Sequence, residues 1–437
     1  MSLPAYPKYM DSGVEWLGPV PSHWSVHRLK TKLFLLTEKA IERNYPVALE
    51  NIESGSGKFL LTEGEFEGEG VAFDAGDILF GKLRPYLAKV YLTECAGEAV
   101  GDFHVLRPAK AVVGRFVQFQ ILSQAFIDVV DGSTFGSKMP RASWESLGNM
   151  PLAIPPVEEQ TAIAAFLNRE TSKIDALIAE QNKLLILLAE KRQATISHAV
   201  TRGLDPNVPM KDSGVEWLGE VPAHWDVSRV KHHCSVRGRI GFRGYTTDDQ
   251  VDEGEGALVL GAAQITNEGE ITLENKIYIS WTKFYESPEI VVEPGDVLVV
   301  QRGSTCGKVG FIERDCGATT INPSLVLLKE IACSSRLLSF YLSSTFVRGQ
   351  FGHMLGNTAI PMLSQEQIGN IVLCLPPSNE QEAIVAFLRE ETARVDALNA
   401  EAKRAIRLLT ERRSALIAAA VTGKIDVRNA VPEELAA

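Results

Sequence analysis

No run of apolar residues in the 437-residue chain reaches the ~18–20 needed to cross a bilayer. The opening MSLPAYPKYMDSG lacks the basic-then-apolar order of a secretory leader. The six cysteines (Cys95, Cys234, Cys306, Cys316, Cys333, Cys374) are scattered without a C-x-x-C pair, which argues against a disulfide framework or a thiolate metal site. Basic charge is short as well: 44 Lys+Arg face 55 Asp+Glu, a net charge of −11, so the whole molecule is not a general phosphate binder. With 45% apolar and 23% charged residues, neither a disordered chain nor a collagen-like fibre fits. At roughly 100–200 residues per domain the length predicts two to four folded units, and the expectation is a soluble, cytoplasmic protein.

What is present is a duplication. Asp11-Ser-Gly-Val-Glu-Trp-Leu-Gly18 recurs unchanged as Asp212-Ser-Gly-Val-Glu-Trp-Leu-Gly219, and both copies continue through Val-Pro-x-His-Trp-x-Val, with His23-Trp24 and His224-Trp225. A second pair follows: Pro155-Pro-Val-Glu-Glu-Gln-Thr-Ala-Ile-Ala-Ala-Phe-Leu167 aligns with Pro376-Pro-Ser-Asn-Glu-Gln-Glu-Ala-Ile-Val-Ala-Phe-Leu388, and Thr171 and Asp175 then match Thr392 and Asp396. The offset is 201 residues at the first motif and 221 at the second, so the halves diverge between them. A skeleton persists there: Gly76-Asp-Ile-Leu79 parallels Gly295-Asp-Val-Leu298, and Arg115, Phe119 and Ser123 parallel Arg336, Phe340 and Ser344. The repeated tryptophans Trp16/Trp217 and the His-Trp pairs read as packing anchors.

The divergent segments hold short β-rich runs, such as 77–80, 258–260 and 297–300, and one helical stretch each, at 114–130 and 335–348. The segments after the double prolines differ in kind. Ile163, Leu167, Ile174, Leu177, Leu184 and Leu188 recur in steps of three and four, as do Ile384, Leu388, Val395, Leu398, Ala402, Ala405, Leu409 and Leu416. Each segment, free of Pro and Gly until Gly203 or Gly423, predicts a helix of about 40 residues, roughly 60 Å long. A one-sided apolar stripe of that length needs a partner, and the other copy supplies it as an antiparallel coiled coil. The fold class is therefore α+β: two mixed α/β domains joined by two long antiparallel helices, with a pseudo-twofold internal repeat. The predicted boundaries are 1–155, a first helix at 156–202, a second domain at 203–376, a second helix at 377–423 and a tail at 424–437.

This duplicated order of motifs resembles, over essentially the whole chain, the DNA-specificity (S) subunit of type I restriction–modification systems. The resemblance implies two target-recognition domains, each reading half of a split double-stranded DNA site, and helices that set the spacing and dock two modification (adenine-methyltransferase) subunits. Restriction/translocase subunits would join the full complex, and the chain would have no catalysis, metal or cofactor of its own; S-adenosylmethionine, ATP and Mg would be used by the partners. The residues agree with that negative: there is no G-x-x-x-x-G-K-[ST] loop, no G-x-G-x-x-G after a strand and no Asn-Pro-Pro-Tyr-type motif. His232-His233 lacks a second cluster at metal spacing, and Gly55-Ser56-Gly57 lacks the strand of a nucleophile elbow.

Neither divergent segment is basic overall, with 14 Lys+Arg against 16 Asp+Glu in 27–150 and 13 against 16 in 228–375, so DNA contact must come from local clusters. One is Arg229, Lys231, Arg237, Arg239 and Arg243, in a stretch without an acid. A second follows the Gly-Asp-aliphatic strand: Lys82, Arg84, Tyr86 and Lys89 in the first half; Arg302, Ser304, Thr305 and Lys308 in the second. A third follows the short helix: Thr134, Ser137, Lys138 and Arg141; Asn357 and Thr358. Arginine can read a base edge bidentately, and Asn suits adenine. Turn chemistry is the competing account of the Gly, Ser and Asn residues. The acidic run Glu63, Glu65, Glu67, Glu69 should face away from DNA. A protein-binding scaffold, which the acidity suits, and a free-standing enzyme are the alternative classes.

Overall fold

The computed structural model describes residues 4–41, 45–62, 69–134, 138–355 and 361–430. The chain divides into two compact units: Met1–Asn182 with Lys403–Ala437, and Lys183–Ala402. The two long helices, Val157–Arg202 and Ser378–Val421, each begin in one unit and end in the other. At 46 residues the first is about 69 Å long.

In unit 1 an antiparallel four-stranded sheet runs in the order Leu33–Leu36, Phe103–Pro108, Ile78–Gly81, Val90–Leu92. Unit 2 repeats it as Ser235–Gly238, Leu325–Lys329, Val297–Val300, Val309–Phe311. Both Gly-Asp motifs open the third strand of this order, and the aspartate does the same work in each. Asp77 accepts the Asp74 N–H (2.8 Å) and the Arg107 guanidinium; Asp296 accepts the Glu293 N–H (2.8 Å) and Lys329 Nζ (3.1 Å). A turn acceptor that also balances a cation on the neighbouring strand explains why this acid recurs where little else does. The second sheets differ, with three strands in unit 1 (Pro46–Val47, Gly97–Val100, Gly70–Phe73) and four in unit 2 (Gln250–Val251, Ile277–Ser280, Gly256–Leu260, Thr319–Ile321).

Each single helical stretch predicted in the divergent segments is two helices. Gly114–Leu122 and Gln124–Gly132 meet at Ser123, and Ser335–Ser343 and Thr345–Leu355 meet at Ser344. Both serines have extended backbones, at φ −63°, ψ 138° and φ −66°, ψ 156°, and the Ser123 hydroxyl donates to Gln120 O. The break turns Phe126 and Ile127, or Val347 and Phe351, into the same core as the preceding helix.

Within each unit the long helices run antiparallel. In unit 1, Ile163 and Leu167 share a core with Ile417, Ala420 and Val421, and further along Asp175 accepts from Arg413 Nε at 2.9 Å. In unit 2, Ile196 and Val200 share a core with Ile384 and Leu388, and Arg192 pairs with Asp396. The two ion pairs are one pair written twice, since both partners are displaced by 221 residues. The segment after the second helix is folded into unit 1: Val427 is fully buried, and Asp426 N donates to Pro4 O.

Candidate DNA interface

The repeated motifs lie far apart in sequence and meet in space. Glu159, from Pro-Pro-x-x-Glu-Gln, accepts from Tyr6 Oη (2.5 Å) and Trp24 Nε1 (2.9 Å) on one oxygen, and lies 2.8 Å from His23 Nε2 on the other. Burial, then the bond to Glu159, holds the Tyr6 phenol far above its ordinary pKa. Glu380 repeats the clamp with His224 (2.6 Å) and Trp225 (2.9 Å). The neighbouring glutamines cap the domain's own helices: Gln160 accepts the Val113 N–H and Gln381 the Ser334 N–H, both at 2.8 Å. These motifs therefore anchor each long helix to the globular domain of its unit. Trp24 and Trp225 are buried as anchors, and Trp16 packs edge-on to Phe126. Trp217 departs from that reading: it is 61% exposed.

The second and third candidate clusters are brought together in both units. In unit 1, Leu83 bridges Arg141, with Arg84 N donating to Pro140 O (2.9 Å) and Ala142 N to Lys82 O (3.0 Å). In unit 2, Arg302 bridges Met362, with Gly303 N donating to Pro361 O (3.1 Å) and Leu363 N to Gln301 O (2.8 Å). Loops about 60 residues apart are thus zipped edge to edge, once per unit. Exposed Arg84, Tyr86, Lys138 and Arg141, beside half-buried Lys82, share the unit 1 surface, and exposed Arg302, Ser304 and Thr305 the unit 2 surface. Tyr86 stands at the apex of the turn Pro85–Leu87, flanked by Arg84 (φ 50°) and Ala88 (φ 47°), both left-handed without being glycine. Strain of that kind concentrates at functional surfaces. Arg141 is held by Asp102 at 2.9 Å, a partner the sequence reading missed because no motif marks it. Half-buried Thr134 donates its hydroxyl to Asp131 O, the turn role. Ser137, Asn357 and Thr358 lie outside the described residues, as do Glu63, Glu65 and Glu67; Glu69 pairs with Lys39.

Two candidates are corrected. Arg239 is 6% exposed, with Nε donating to Ile321 O and Nη2 to Thr320 Oγ1 (both 3.0 Å) and Nη1 to Arg243 O (3.2 Å), so its donors brace the second sheet instead of facing solvent. Lys89 donates Nζ to Leu49 O at 2.6 Å, turned inward to tie down that loop. Lys308, its counterpart, is half-buried and lines a cavity with Thr305 of the zipped loop and with Arg192 and Gln193 of the long helix. The rest of the 228–244 stretch is no single patch: Arg229 and Lys231 share Asn370 Oδ1, Arg237 is exposed on an edge strand, and Arg243 faces Glu289 at 3.4 Å. Sequence clustering overstated this group because consecutive basic residues leave the chain in different directions.

Among the described residues no group of three or more His, Cys, Asp or Glu is placed to hold a metal ion, and no helix is long and apolar enough to cross a membrane. The profile of the type I restriction modification DNA specificity domain matches residues 225–407. The chain is 21% identical to the type I restriction enzyme MjaVIII specificity subunit of Methanocaldococcus jannaschii, across 94% of this chain and 95% of that one. It is 20% identical to the EcoBI specificity subunit of Escherichia coli, across 69% and 64%. Among solved structures, one from a study of assembly and conformational transition of the type I R-M system superposes with a TM-score of 0.72 at 19% identity, covering 92% of this chain and 98% of that one. The HsdS subunit of Thermoanaerobacter tengcongensis gives 0.51 at 20% identity, covering 93% and 98%. Residues 225–407 thus carry the type I restriction modification DNA specificity domain, and over nearly its whole length the chain is similar to type I restriction enzyme specificity subunits.

Proposed function

We propose that the two units read different halves of an asymmetric, bipartite double-stranded DNA site, and that the long helices dock two modification subunits. The observation that carries this reading is the zipping of the two candidate loops in each unit, which gathers Lys82, Arg84, Tyr86, Lys138 and Arg141 on one surface and Arg302, Ser304 and Thr305 on the other. Arginine and short hydroxyl side chains on a raised loop pair suit hydrogen bonding to base edges, with lysines on phosphate. The loop chemistries differ, so the half-sites differ. Exposed Arg229, Lys231 and Arg237 add phosphate contacts.

Methyl transfer and ATP-driven cleavage belong in this scheme to partner subunits, which would use S-adenosylmethionine, ATP and Mg; this chain supplies address and spacing. The acidic balance fits that division, since an isolated subunit of net charge −11 should bind DNA weakly and gain affinity on assembly. The reconstituted complex with modification subunits and methyl donor, used to map modified adenines on plasmid DNA, tests the proposal. A split asymmetric motif supports it, whereas unmodified DNA or a continuous motif refutes it. Duplicating one helical turn within a long helix should alter the unread spacer and leave both half-sites intact.

A further inference from the structure

The repeat exposes a difference between the units that no DNA contact explains. In unit 1 the carboxylate of Glu159 is only 6% exposed because Tyr6 covers it: the phenol donates at 2.5 Å, and the ring packs edge-on to Trp24 at 6.0 Å and beneath the Arg428 guanidinium at 5.1 Å. Two separate stretches of chain pass through this region, 4–8 and 423–430, joined by the bond from Asp426 N to Pro4 O at 2.7 Å. In unit 2 one continuous stretch, 203–209, connects the first long helix to the strand Met210–Asp212. The position matching Tyr6 under the 201-residue offset is Asn207, which is exposed, its backbone N–H bonded to Asp205 Oδ1 at 2.9 Å.

The slot is consequently open in unit 2. A cavity of about 230 Å³ lies where the tyrosine would be, walled by Gly203, Val208, Pro222, His224, Glu380 and Ile384. An apolar cavity of about 150 Å³ already admits a benzene ring. Glu380 is 37% exposed and, among the described residues, receives only His224 and Trp225 through its side chain. The oxygen that takes the tryptophan N–H in Glu159 takes a phenol as well; in Glu380 it takes the indole alone.

We propose that the slot beside Glu380 binds a tyrosine side chain presented by a partner polypeptide, in the place that Tyr6 holds beside Glu159. The occupant is identified by chemistry: Gly203, Val208, Pro222, Ala383 and Ile384 give the cavity an apolar side that suits a ring, Arg202 and Asp205 lie on its polar side, and the Glu380 carboxylate, which can accept a further hydrogen bond, suits a donor at the ring's far end. A peptide is favoured over a free phenol because in unit 1 the ring is delivered by a backbone that is itself hydrogen-bonded on either side of it, at Pro4 O and Lys8 O, and because the cavity is lined at its edge by exposed Leu204 and Ala383. This inference is independent of the DNA reading.

The pentapeptide Pro-Ala-Tyr-Pro-Lys, copying residues 4–8, is the probe, titrated into the full chain while the indole N–H of Trp225 is followed by NMR. A saturable shift of Trp225, with Trp24 unmoved, is the expected result. The peptide carrying Phe in place of Tyr should bind about tenfold more weakly or worse, since the charge-assisted bond is lost. Ala383→Trp, an exposed helical position at the cavity mouth, should abolish the shift without altering helix content; should that variant not fold, the Tyr and Phe peptides on the unaltered chain still decide. No saturable shift, equal affinity of the two peptides, or binding that survives Ala383→Trp would each overturn the proposal. Binding of p-cresol as tight as that of the pentapeptide would replace the polypeptide by a free phenol.

Discussion

Replacing Glu159 by Gln should destabilise unit 1 more than Glu380→Gln destabilises unit 2, although the two glutamates occupy the same motif. Glu159 is almost fully buried and serves three groups, Tyr6, His23 and Trp24. A glutamine offers one oxygen and turns an N–H₂ toward the others, so at least one buried donor loses its acceptor and the retained bonds lose their charge. Bonds to a charged group contribute about 1.5–3 kcal/mol and a stranded buried donor costs about 1–3, which puts Glu159→Gln near ~3 kcal/mol. Glu380 serves two groups, and its own exposure lets water screen and replace the bond to half-exposed His224, so ~1 kcal/mol is the corresponding figure. The difference of about 2 kcal/mol amounts to roughly 1 M in a urea midpoint. Because two units need not unfold together, the indole N–H signals of Trp24 and Trp225 should be followed separately through the titration. Equal shifts for the two variants, or no shift for Glu159→Gln, would refute the claim that these motifs are load-carrying clamps of unequal burial.

Unit 1 should lose stability in mild acid through His104, whose pKa is lowered to about 4, chiefly by burial, with its neutral ring donating Nε2–H to Ala142 O at 3.0 Å. The unfolded chain takes up the proton below pH ~6.5 and the folded one only near 4, so stability falls as pH drops through that window, by about 3 kcal/mol in all. Urea melts monitored at Trp144, 6.0 Å from the ring, would show this, and His104→Gln should flatten the dependence. Arg302→Ala should relax methylation specificity at one base pair by ~1–3 kcal/mol if the reading of the unit 2 loop is right; an unchanged methylome removes it. Arg239→Ala should instead lower the melting temperature of unit 2, because three carbonyl or hydroxyl acceptors lose their donor, with no base preference changed in the surviving complexes.

Duplication, the two long helices and the resemblance to type I specificity subunits were all legible in the sequence, because each is a matter of local order: identical octapeptides, apolar steps of three and four, and prolines that set a helix start. Even the antiparallel pairing left a trace, since Arg192 and Arg413 recur at the offset of Asp175 and Asp396. What the clusters of basic residues would do was not legible. Arg239 and Arg237 are two positions apart, yet one braces a sheet and the other is exposed on an edge strand; Lys89 follows Arg84 by five and points at the backbone of residue 49. A side chain's direction is set by the strand or turn that carries it and by what packs beneath, and neither is written in the spacing of charges. Likewise the meaning of Glu159 and Glu380 came only from tertiary structure: in sequence they are acids at a helix start, and in the fold each is the acceptor that fastens a globular domain to its helix.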